Sequence, residues 1–375
     1  MPKVTKLKKG ALDIASIRGI INKKAGREVA HSLQNNNPTE VREWIPTGSR
    51  WLDSIICKGK LAGIPVGKIS EIAGLEATGK SFMAAQAAGN AQKMGIDVVY
   101  FDSESALDPS FLERAGCDLE RLMYVQAESV EFVLETIEEL LATGNKWLFI
   151  WDSLALTPSI SDVEGDFNPQ SSMAVKPRIL SKGMAKLTIP IADANATLLV
   201  LNQLKTNMAA RTPAEAMTTP YFTPGGKAMS YAYSLRVWLT ARKAKASFVL
   251  DDNGFRIGSE VKVKLEKSRF GTAGRTCNFK ILWGDEDIGV QDEESWFDAI
   301  QVSERLKQSG AWYTLVKNDG SHEKFQRKHW ITKLEKQDFK ESVLTIIEED
   351  VIMKFKNREG KADDFYEAEE TPPKE

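Results

Sequence analysis

The sequence predicts an α/β fold, in which a mainly parallel sheet carries helices on both faces and continues into antiparallel strands. Up to about residue 201, apolar runs of strand length alternate with helix-length segments, as in parallel sheets. After residue 230, strand-like runs follow one another without room for helices, which favours antiparallel pairing. The predicted strands are 67–73, 98–101, 147–151, 197–201, 234–241, 259–266 and 276–283.

The chain is predicted to comprise four parts. Residues 1–43 form an N-terminal arm with one helix and a polar linker at 34–38. Residues 44–290 form the α/β core, residues 291–356 a small C-terminal α/β domain, and residues 357–375 an acidic tail. Helices are predicted where helix-forming residues or helical apolar spacing occur. Those in the core and C-terminal domain are 82–94, 129–142, 296–308 and 340–355.

Charge is unevenly distributed, although the formal net charge is only −2. The first 30 residues carry eight Lys or Arg against two acids, and the last 13 carry six acids against one lysine. A basic head and an acidic tail fit contacts with other molecules or competition for a basic groove. An equally good explanation is that both charged segments are simply solvated chain termini.

Composition excludes several classes of protein. No run of about 18 apolar residues occurs, so no membrane span is expected, and the basic start lacks the apolar stretch of a secretion signal. The three cysteines, Cys57, Cys117 and Cys277, are far apart. They give neither a zinc site nor a disulfide framework and suit a reducing cytosol.

The segment Gly74–Ser81 has the G-x-x-x-x-G-K-[ST] spacing of a phosphate-binding P-loop: Gly74, Leu75, Glu76, Ala77, Thr78, Gly79, Lys80 and Ser81. Its glycines let the backbone curl so that consecutive N–H groups surround phosphate oxygens. Lys80 is expected to reach the β- and γ-phosphates, and the Ser81 hydroxyl to bind Mg²⁺. A strand precedes the loop and a helix follows it, which places phosphate at a helix N-terminus.

Two further strands end in acids. Asp152 follows a run of five apolar residues, and we expect it to be the second anchor for Mg²⁺. Asp102 and Glu104 follow another strand and emerge at the same sheet edge, where open α/β sheets bind ligands. Either could polarise the water that attacks the γ-phosphate, and the residues alone do not choose between them.

Asn202 and Gln203 end the fourth apolar strand, where a neutral amide could sense the γ-phosphate. Residues 204–224 then form a long loop rich in Thr, Ala and Pro, and residues 161–172 form another after the Asp152 strand. Loops of this length inside a compact domain are usually functional. Both are candidates for a ligand-binding surface coupled to the nucleotide.

A series of short motifs occurs in order between about residues 44 and 315. They are Pro46–Ser49, Gly63–Gly67, Gly74–Ser81, Phe101–Pro109, Asp152–Pro158, Asn202–Gln203, Gly225–Gly226 and Gly310–Tyr313. In their order and spacing the chain resembles the bacterial RecA recombinase family, including phage relatives of the UvsX type. The arm matches only in size and charge, and the extreme C-terminus only in acidity.

The resemblance implies a RecA-type P-loop NTPase core and an ATP-dependent DNA recombinase. Such a protein forms a helical homo-oligomeric filament on single-stranded DNA, with the arm serving oligomerisation. It pairs that strand with homologous duplex DNA and exchanges strands. ATP and Mg²⁺ would be its cofactors, single-strand-binding and mediator proteins its further partners, and the cytoplasm of a bacterial or phage-infected cell its location.

The resemblance also assigns roles around the nucleotide. Glu104 rather than Asp102 would activate water. Gln203 would report the γ-phosphate to the long loop. Asp108 and Phe111 fall where the family contacts adenine, with Phe111 packing on its face.

Other residues fall where the family contacts a neighbouring subunit or DNA. Lys267 and Arg269 would reach the triphosphate of the neighbouring subunit and stabilise transition-state charge. The residues that would hold DNA are Met173, Arg178, Ser181, Gly225 and Gly226. Backbone N–H groups and Arg would grip phosphates there, and inserted apolar side chains would separate the bases.

The chain departs from the family pattern in two places. The second loop is several residues longer than in bacterial members, so Met208 and Phe222 are both candidates for the inserting residue. Pro177 lies where a helix is expected to start, which indicates a shifted boundary because proline is tolerated in a first turn.

Two rival functions are a ring-forming hexameric helicase on the same core and a recombination mediator that binds ATP without turnover. Closed rings would indicate the first, and ATP binding without hydrolysis the second. Glu104, Gln203 and the two interface cations argue against the second.

Overall fold

The computed structural model describes residues 13–34, 37–165, 175–208, 212, 220–241, 247–284 and 288–352. The chain divides into two compact units, residues 1–42 and residues 43–375. The predictions for Met173 and for the acidic tail at 357–375 fall outside the described residues.

The first unit contains helix α1, Ile14–Ala25. The Asp13 side chain caps its start by accepting the Ser16 N–H at 2.9 Å. The helix ends at Gly26, whose φ of 68° is unfavourable for other residues. The helix predicted for the arm is therefore confirmed.

The helices of the second unit are short to medium in length. They are α2 Arg50–Ile56, α3 Lys80–Lys93, α4 Pro109–Arg114, α5 Val130–Leu141, α6 Ile160–Glu164, α7 Val175–Asp193, α8 Gly226–Ala232, α9 Asp292–Ala299, α10 Trp330–Leu334 and α11 Gln337–Ile346. Short 3₁₀ turns lie at Leu119–Arg121, Ile300–Val302 and Arg327–His329, and a π-helical turn at Ile347–Val351. Within the described residues, no helix has the length and apolar character needed to cross a membrane.

The strands form one large sheet and three small ones. They are β1 Trp44–Ile45, β2 Ile64–Pro65, β3 Ile69–Gly74, β4 Asp97–Asp102, β5 Leu122–Gln126, β6 Trp147–Asp152, β7 Thr197–Gln203, β8 Lys205–Thr206, β9 Tyr221–Phe222, β10 Leu235–Ala241, β11 Phe248–Leu250, β12 Arg256–Ser268, β13 Thr276–Leu282, β14 Gly289–Val290, β15 Leu306–Ser309, β16 Trp312–Val316 and β17 His322–Gln326.

The large sheet has the strand order β14-β13-β12-β10-β3-β7-β6-β4-β5, with β11 added on β12. The strands from β10 to β5 pair in parallel. The strands from β10 to β14 pair antiparallel. The predicted fold class, a parallel sheet with an antiparallel extension, is confirmed.

Helices cover both faces of the parallel strands, so each of them except the edge strand β5 is buried on both sides. On one face, side chains such as Val98 and Tyr100 pack with the alanine-rich α3. On the other face, Val99 and Phe101 pack with α5 and α7. This double burial explains why the strands appear in the sequence as unbroken apolar runs.

The C-terminal part has a core of its own. The three-stranded sheet β15–β16–β17 packs with α9, α10 and α11 around an aromatic cluster. At its centre are Phe297, Phe325, Trp330 and Phe339, whose ring centroids lie 5.2–5.9 Å apart in neighbouring pairs.

One predicted helix of this part is wrong beyond its first turn. The helix predicted over 296–308 ends at Ala299, and Leu306–Ser309 is a strand. A hairpin takes its place because Gly310, at φ 61°, reverses the chain and Ser309 pairs with Trp312. The helix predicted over 340–355 is confirmed in type, and it begins earlier, at Gln337.

Candidate nucleotide-binding site

The P-loop, Gly74–Ser81, joins the end of β3 to the start of α3, as the sequence predicted. Gly79 precedes the helix at φ 82°, and no side chain caps the first turn. The N–H groups of that turn therefore have no acceptor within the helix and are available to an anion. A side chain at Gly79 would collide with Ile281, since its Cβ would lie 2.3 Å from that residue's Cδ1.

Lys80 lies against the loop it belongs to. Its Nζ donates to the Leu75 carbonyl at 3.1 Å, and the Thr78 hydroxyl donates to the same oxygen at 2.8 Å. Burial lowers the pKa of Lys80, while three nearby carboxylates oppose that shift. The ammonium is thus held at the mouth of the loop among acids that favour its charged form.

Asp152 ends β6 and faces the first turn of α3. Its Oδ2 accepts the Ser81 hydroxyl at 2.8 Å and the Tyr100 hydroxyl at 2.7 Å. Burial raises the pKa of Asp152, and these two hydrogen bonds oppose the shift. A hydroxyl and a carboxylate at this spacing fit Mg²⁺, which takes few protein oxygens and completes its shell with water and phosphate.

The two acids after β4 have different environments. Asp102 is buried and accepts four backbone N–H groups, from residues 104–107, at 2.8–3.2 Å, together with the Tyr124 hydroxyl. Glu104 is exposed, and its Oε1 accepts a long 3.4 Å hydrogen bond from the Ser153 hydroxyl. The Asp102 carboxylate is occupied in shaping the turn, whereas the Glu104 carboxylate is free to contact a ligand.

A cavity of about 940 Å³ brings these groups together. Its walls include the start of the P-loop, Lys80, Ser81, Glu104, Asp152, Ser153 and Gln203. Gln203 reaches this cavity because it is the register partner of Gly74 on the neighbouring strand. The predicted γ-phosphate sensor therefore lies beside the P-loop.

Two smaller cavities adjoin it, and Phe111 lines both. Asp108 lines one of them, and its side chain also caps α4 by accepting the Ser110 N–H at 2.9 Å. Trp283, 40% exposed, lines the other together with Thr78 and Gly79. Phe111 and Trp283 thus offer flat apolar surfaces of the kind that a nucleotide base packs on.

Sequence reasoning missed Trp283 and Arg256, which both lie near the P-loop. The Arg256 guanidinium lies 4.0 Å from the Phe248 ring centroid and 5.1 Å from that of Trp283. It lines the large cavity together with Phe248. Aromatic residues at the antiparallel strands, Phe248 on β11 and Trp283 just after β13, were the available signal. Only the pairing of β11 and β13 with β12 brings them beside Arg256.

Lys267 and Arg269 are not brought to the P-loop of their own chain. Both donate to the Tyr231 carbonyl at the end of α8, and among the described residues neither forms an ion pair with a carboxylate. The backbone N–H of Arg269 donates to Ser234, whose own N–H donates to Ile69 at the start of β3. Arg269 is therefore level with the start of β3, and Lys267, the register partner of Arg236, is level with Glu71. Along the strand direction the two cations lie roughly 17 Å and roughly 10 Å from Gly74, where the P-loop begins.

The described DNA candidates lie on two helices that meet. Arg178 and Ser181 are exposed on α7, while Gly225 and Gly226 start α8 with φ of 105° and 80°. A Cβ on Gly226 would lie 3.6 Å from the Cβ of Pro177, the third described residue of α7. The prediction that Pro177 falls in a first turn agrees with this position, and the two helix starts form one surface.

Lys176, which the sequence gave no reason to single out, ties this surface to the turn that follows Asp152. Its Nζ donates to the carbonyls of Leu154, Ala155 and Thr157 at 2.6–3.1 Å, in the turn that follows Asp152. Burial lowers the pKa of Lys176 to about 8. The start of α7 is thereby fixed to the end of β6.

Both candidates for base insertion are exposed. Met208 is 89% and Phe222 is 47% exposed, and they lie on opposite sides of the second loop. The short pair β8–β9 joins the two sides, with Lys205 opposite Phe222. Residues 209–211 and 213–219 between them lie outside the described part of the chain.

Comparison with known proteins gives consistent matches. A family model described as the RecA N-terminal domain matches residues 12–288. "Protein RecA" of Bifidobacterium breve is 31% identical over 307 residues, covering 82% of this chain and 73% of the relative. "Protein RecA" of Saccharopolyspora erythraea is 31% identical over 304 residues, covering 81% and 82%. The span matched by the family model includes the P-loop, Asp102, Glu104, Asp152, Lys267 and Arg269.

Proposed function

Because this chain belongs to the RecA family, we propose that it is a DNA-dependent ATPase that forms helical filaments on single-stranded DNA. In this proposal it pairs the bound strand with homologous duplex DNA and exchanges strands, in recombination and repair. The arm contributes to contacts between subunits, and single-strand-binding and mediator proteins act with it in the cytoplasm of a bacterial or phage-infected cell.

One observation carries the proposal. The P-loop, the Ser81–Asp152 pair, Glu104 and Gln203 meet around one cavity at the carboxyl edge of the sheet. The starts of α7 and α8 continue from the same edge, since they follow β6 and β7 along the chain. The candidate triphosphate site and the candidate DNA surface thus both lie at the carboxyl ends of the parallel strands, which supports the proposal.

In the proposed reaction, ATP binds with its β- and γ-phosphates against the N–H groups of the P-loop. Lys80 turns from the Leu75 carbonyl to the phosphate oxygens. Ser81 and Asp152 would hold Mg²⁺, which when bound would supply positive charge to the phosphate site. The base packs on Phe111, with Asp108 at the rim of its cavity.

Glu104 then orients a water and accepts its proton as the water oxygen bonds to the γ-phosphorus. The bond from the γ-phosphorus to the bridging oxygen breaks, and ADP takes up the charge of the leaving oxygen. Lys267 and Arg269 of a neighbouring subunit lie against the γ-phosphate and stabilise the charge of the transition state. Gln203 contacts the γ-phosphate while it is present and loses that contact after hydrolysis.

DNA contacts in this proposal are independent of sequence. Arg178, Ser181 and the backbone at Gly225 and Gly226 hold phosphates, and Met173 is a further contact to DNA. Met208 or Phe222 inserts between bases. Because these contacts are made to phosphates and not to base edges, the affinity for DNA should depend strongly on salt.

The test is ATP turnover by the purified full chain with and without single-stranded DNA. We expect DNA to raise turnover at least several-fold, and we expect Lys80→Ala to abolish turnover in both conditions. Equal turnover with and without DNA in the wild-type protein would contradict the proposal. Electron microscopy of the protein with DNA and an ATP analogue should show helical filaments, whereas closed rings would favour a helicase.

A further inference from the structure

Glu71 is a buried acid in the middle of the strand that carries the P-loop. It is fully buried, three residues before Gly74, and faces β7 on one side and β10 on the other. Its Oε2 accepts Arg236 Nε at 2.7 Å, and its Oε1 accepts Asn202 Nδ2 at 3.0 Å. Since an unpaired buried carboxylate is strongly destabilising, these partners are what permit Glu71 at this position.

The same two partners also reach outward to the second loop. The Nη2 of Arg236 donates to the Thr223 hydroxyl at 2.8 Å. Asn202 Nδ2 also donates to the Pro224 carbonyl at 3.0 Å. We call Glu71, Asn202, Arg236 and Thr223 the Glu71 cluster. Its outermost contacts are with Thr223 and Pro224, the two residues that precede Gly225.

The cluster also contacts the nucleotide side of the sheet. Asn202 Oδ1 accepts the backbone N–H of Gln203 at 3.0 Å, and Gln203 lines the phosphate cavity. The next residue, Leu204, donates its N–H to the Gly74 carbonyl at 3.0 Å. A shift of Gln203 is therefore passed to Asn202, which holds the other end of the same loop through Pro224.

Arg236 is firmly held, so it can transmit a change of position. It is 8% exposed, and its guanidinium lies 5.7 Å from the Tyr233 ring centroid and 5.6 Å from that of Trp238. It is also the register partner of Lys267 on β12, and its charge contributes, after burial and Arg269, to lowering the pKa of Lys267. Arg236 thus lies between the second loop and the proposed interface cations.

We propose that Arg236 and Thr223 are positioning residues that couple the nucleotide to the DNA surface by fixing the closing end of the second loop. This inference rests on the proposed function, since it supposes that the nucleotide state changes DNA affinity. Gln203 holds the opening end of the loop and the Glu71 cluster holds the closing end. Both ends of the loop are thereby attached by hydrogen bonds to the same strand, β3, which leads into the P-loop.

The experiment uses Thr223→Val with Thr223→Ser as the matched control, because both keep the buried Glu71–Arg236 pair intact. The affinity for a labelled oligothymidine is measured with ADP and with a non-hydrolysable ATP analogue. The ratio of the two dissociation constants reports the coupling. Basal turnover without DNA and the thermal midpoint are measured alongside.

We expect Thr223→Ser to keep the wild-type ratio and Thr223→Val to reduce it by about ten-fold, the worth of one hydrogen bond to a charged group. Basal turnover and thermal midpoint should stay close to those of the wild type. An equal loss of affinity in both nucleotide states would overturn the inference, because Thr223 would then only shape the DNA surface. An unchanged ratio in Thr223→Val would also overturn it.

These results separate the inference from the proposed function. If wild-type turnover is stimulated by DNA while Thr223→Val has the wild-type ratio, the inference alone fails. If the wild-type protein binds the oligonucleotide with equal affinity in both nucleotide states and shows no stimulation, both fail.

Discussion

At the scale of single residues, the clearest result concerns two acids two positions apart. Asp102 accepts four backbone N–H groups and is buried, while Glu104 is exposed at the cavity. The residues alone could not assign the water-polarising role to one of these acids, since both follow the same strand. The turn at 103–107, with Ser105 at φ 52°, decides which of them lines the large cavity.

Glu104→Gln should therefore lower DNA-stimulated ATP turnover by about 100-fold or more while ATP binding persists, because general-base catalysis is lost and the shape is kept. Asp102→Asn is the comparison. Its amide nitrogen cannot accept N–H groups, so we expect a loss of about 1–3 kcal/mol in stability. Turnover, nucleotide affinity and the thermal midpoint are measured for both. A stable but inactive Asp102→Asn beside an active Glu104→Gln would reverse the assignment.

Other residue roles had no signal in the sequence. Lys176 contacts three carbonyls of the turn after Asp152, yet a lysine beside a proline in a polar segment looks like a solvated residue. The P-loop and Asp152 were predictable because their roles depend on local spacing and on strand ends. Lys176, Arg256 and Trp283 were not, since their roles depend on which segments meet in space.

At the scale of elements, strands were predictable where both faces are buried. β5 was missed because it is the edge strand and is half exposed, so it lacks the apolar run of its neighbours. The helix predicted over 296–308 was wrong because the hairpin turn at Gly310 prevails over local helical spacing. Propensity decides little where tertiary pairing is available.

The contact between α2 and α9 contains two acids, the buried Asp53 and the half-buried Asp292. Asp53 on α2 accepts the Thr47 hydroxyl at 2.7 Å, and Asp292 at the start of α9 accepts the Arg50 N–H at 2.7 Å. Burial raises the pKa of Asp53 to about 8 and that of Asp292 to about 6. Both values lie above the pKa of an aspartate in the unfolded chain, about 4. For each group, the folded chain therefore binds more protons than the unfolded chain at any pH between the unfolded and the folded pKa.

Stability should therefore fall as pH rises from about 4 through about 8, by up to about 1.4 kcal/mol per pH unit for each extra bound proton. We expect Asp53→Asn to flatten this dependence between pH 6 and pH 8. Denaturant unfolding of the wild type and the variant across that range measures the effect. An identical pH dependence in the two proteins would show that Asp53 does not titrate there.

At the scale of the whole molecule, the candidate site is divided between two ends of β3. The P-loop lies at the end of the strand, whereas Arg269 is level with its start and Lys267 with Glu71, roughly 17 Å and roughly 10 Å along the strand. The proposed reaction needs both, so a second copy must supply the cations. The family resemblance implied that these cations act on a neighbour's nucleotide, but their distance from the P-loop of their own chain depends on the strand order in the sheet.

A mixing experiment tests the division. Lys80→Ala lacks the P-loop function, and the double variant Lys267→Ala with Arg269→Ala lacks the cations. Each alone should be inactive. In an equal mixture about one contact in four joins an intact P-loop to intact cations, so about a quarter of wild-type turnover should return.

The control mixture combines Lys80→Ala with Glu104→Gln. Both defects lie on the same side of the contact, so no turnover should return. If the first mixture is no more active than its components, the cations do not act on a neighbour's nucleotide.

The separation of the P-loop from the two cations has a consequence for how an assembly of subunits would grow. In an assembly built on this contact, one terminal subunit presents an unmatched nucleotide cavity and the other presents unmatched cations. Addition at the first end buries an ATP that is already bound, whereas addition at the second requires the incoming subunit to bring one. The two ends should therefore elongate at different rates and respond differently to the supply of ATP, which gives the polymer an intrinsic direction along the DNA.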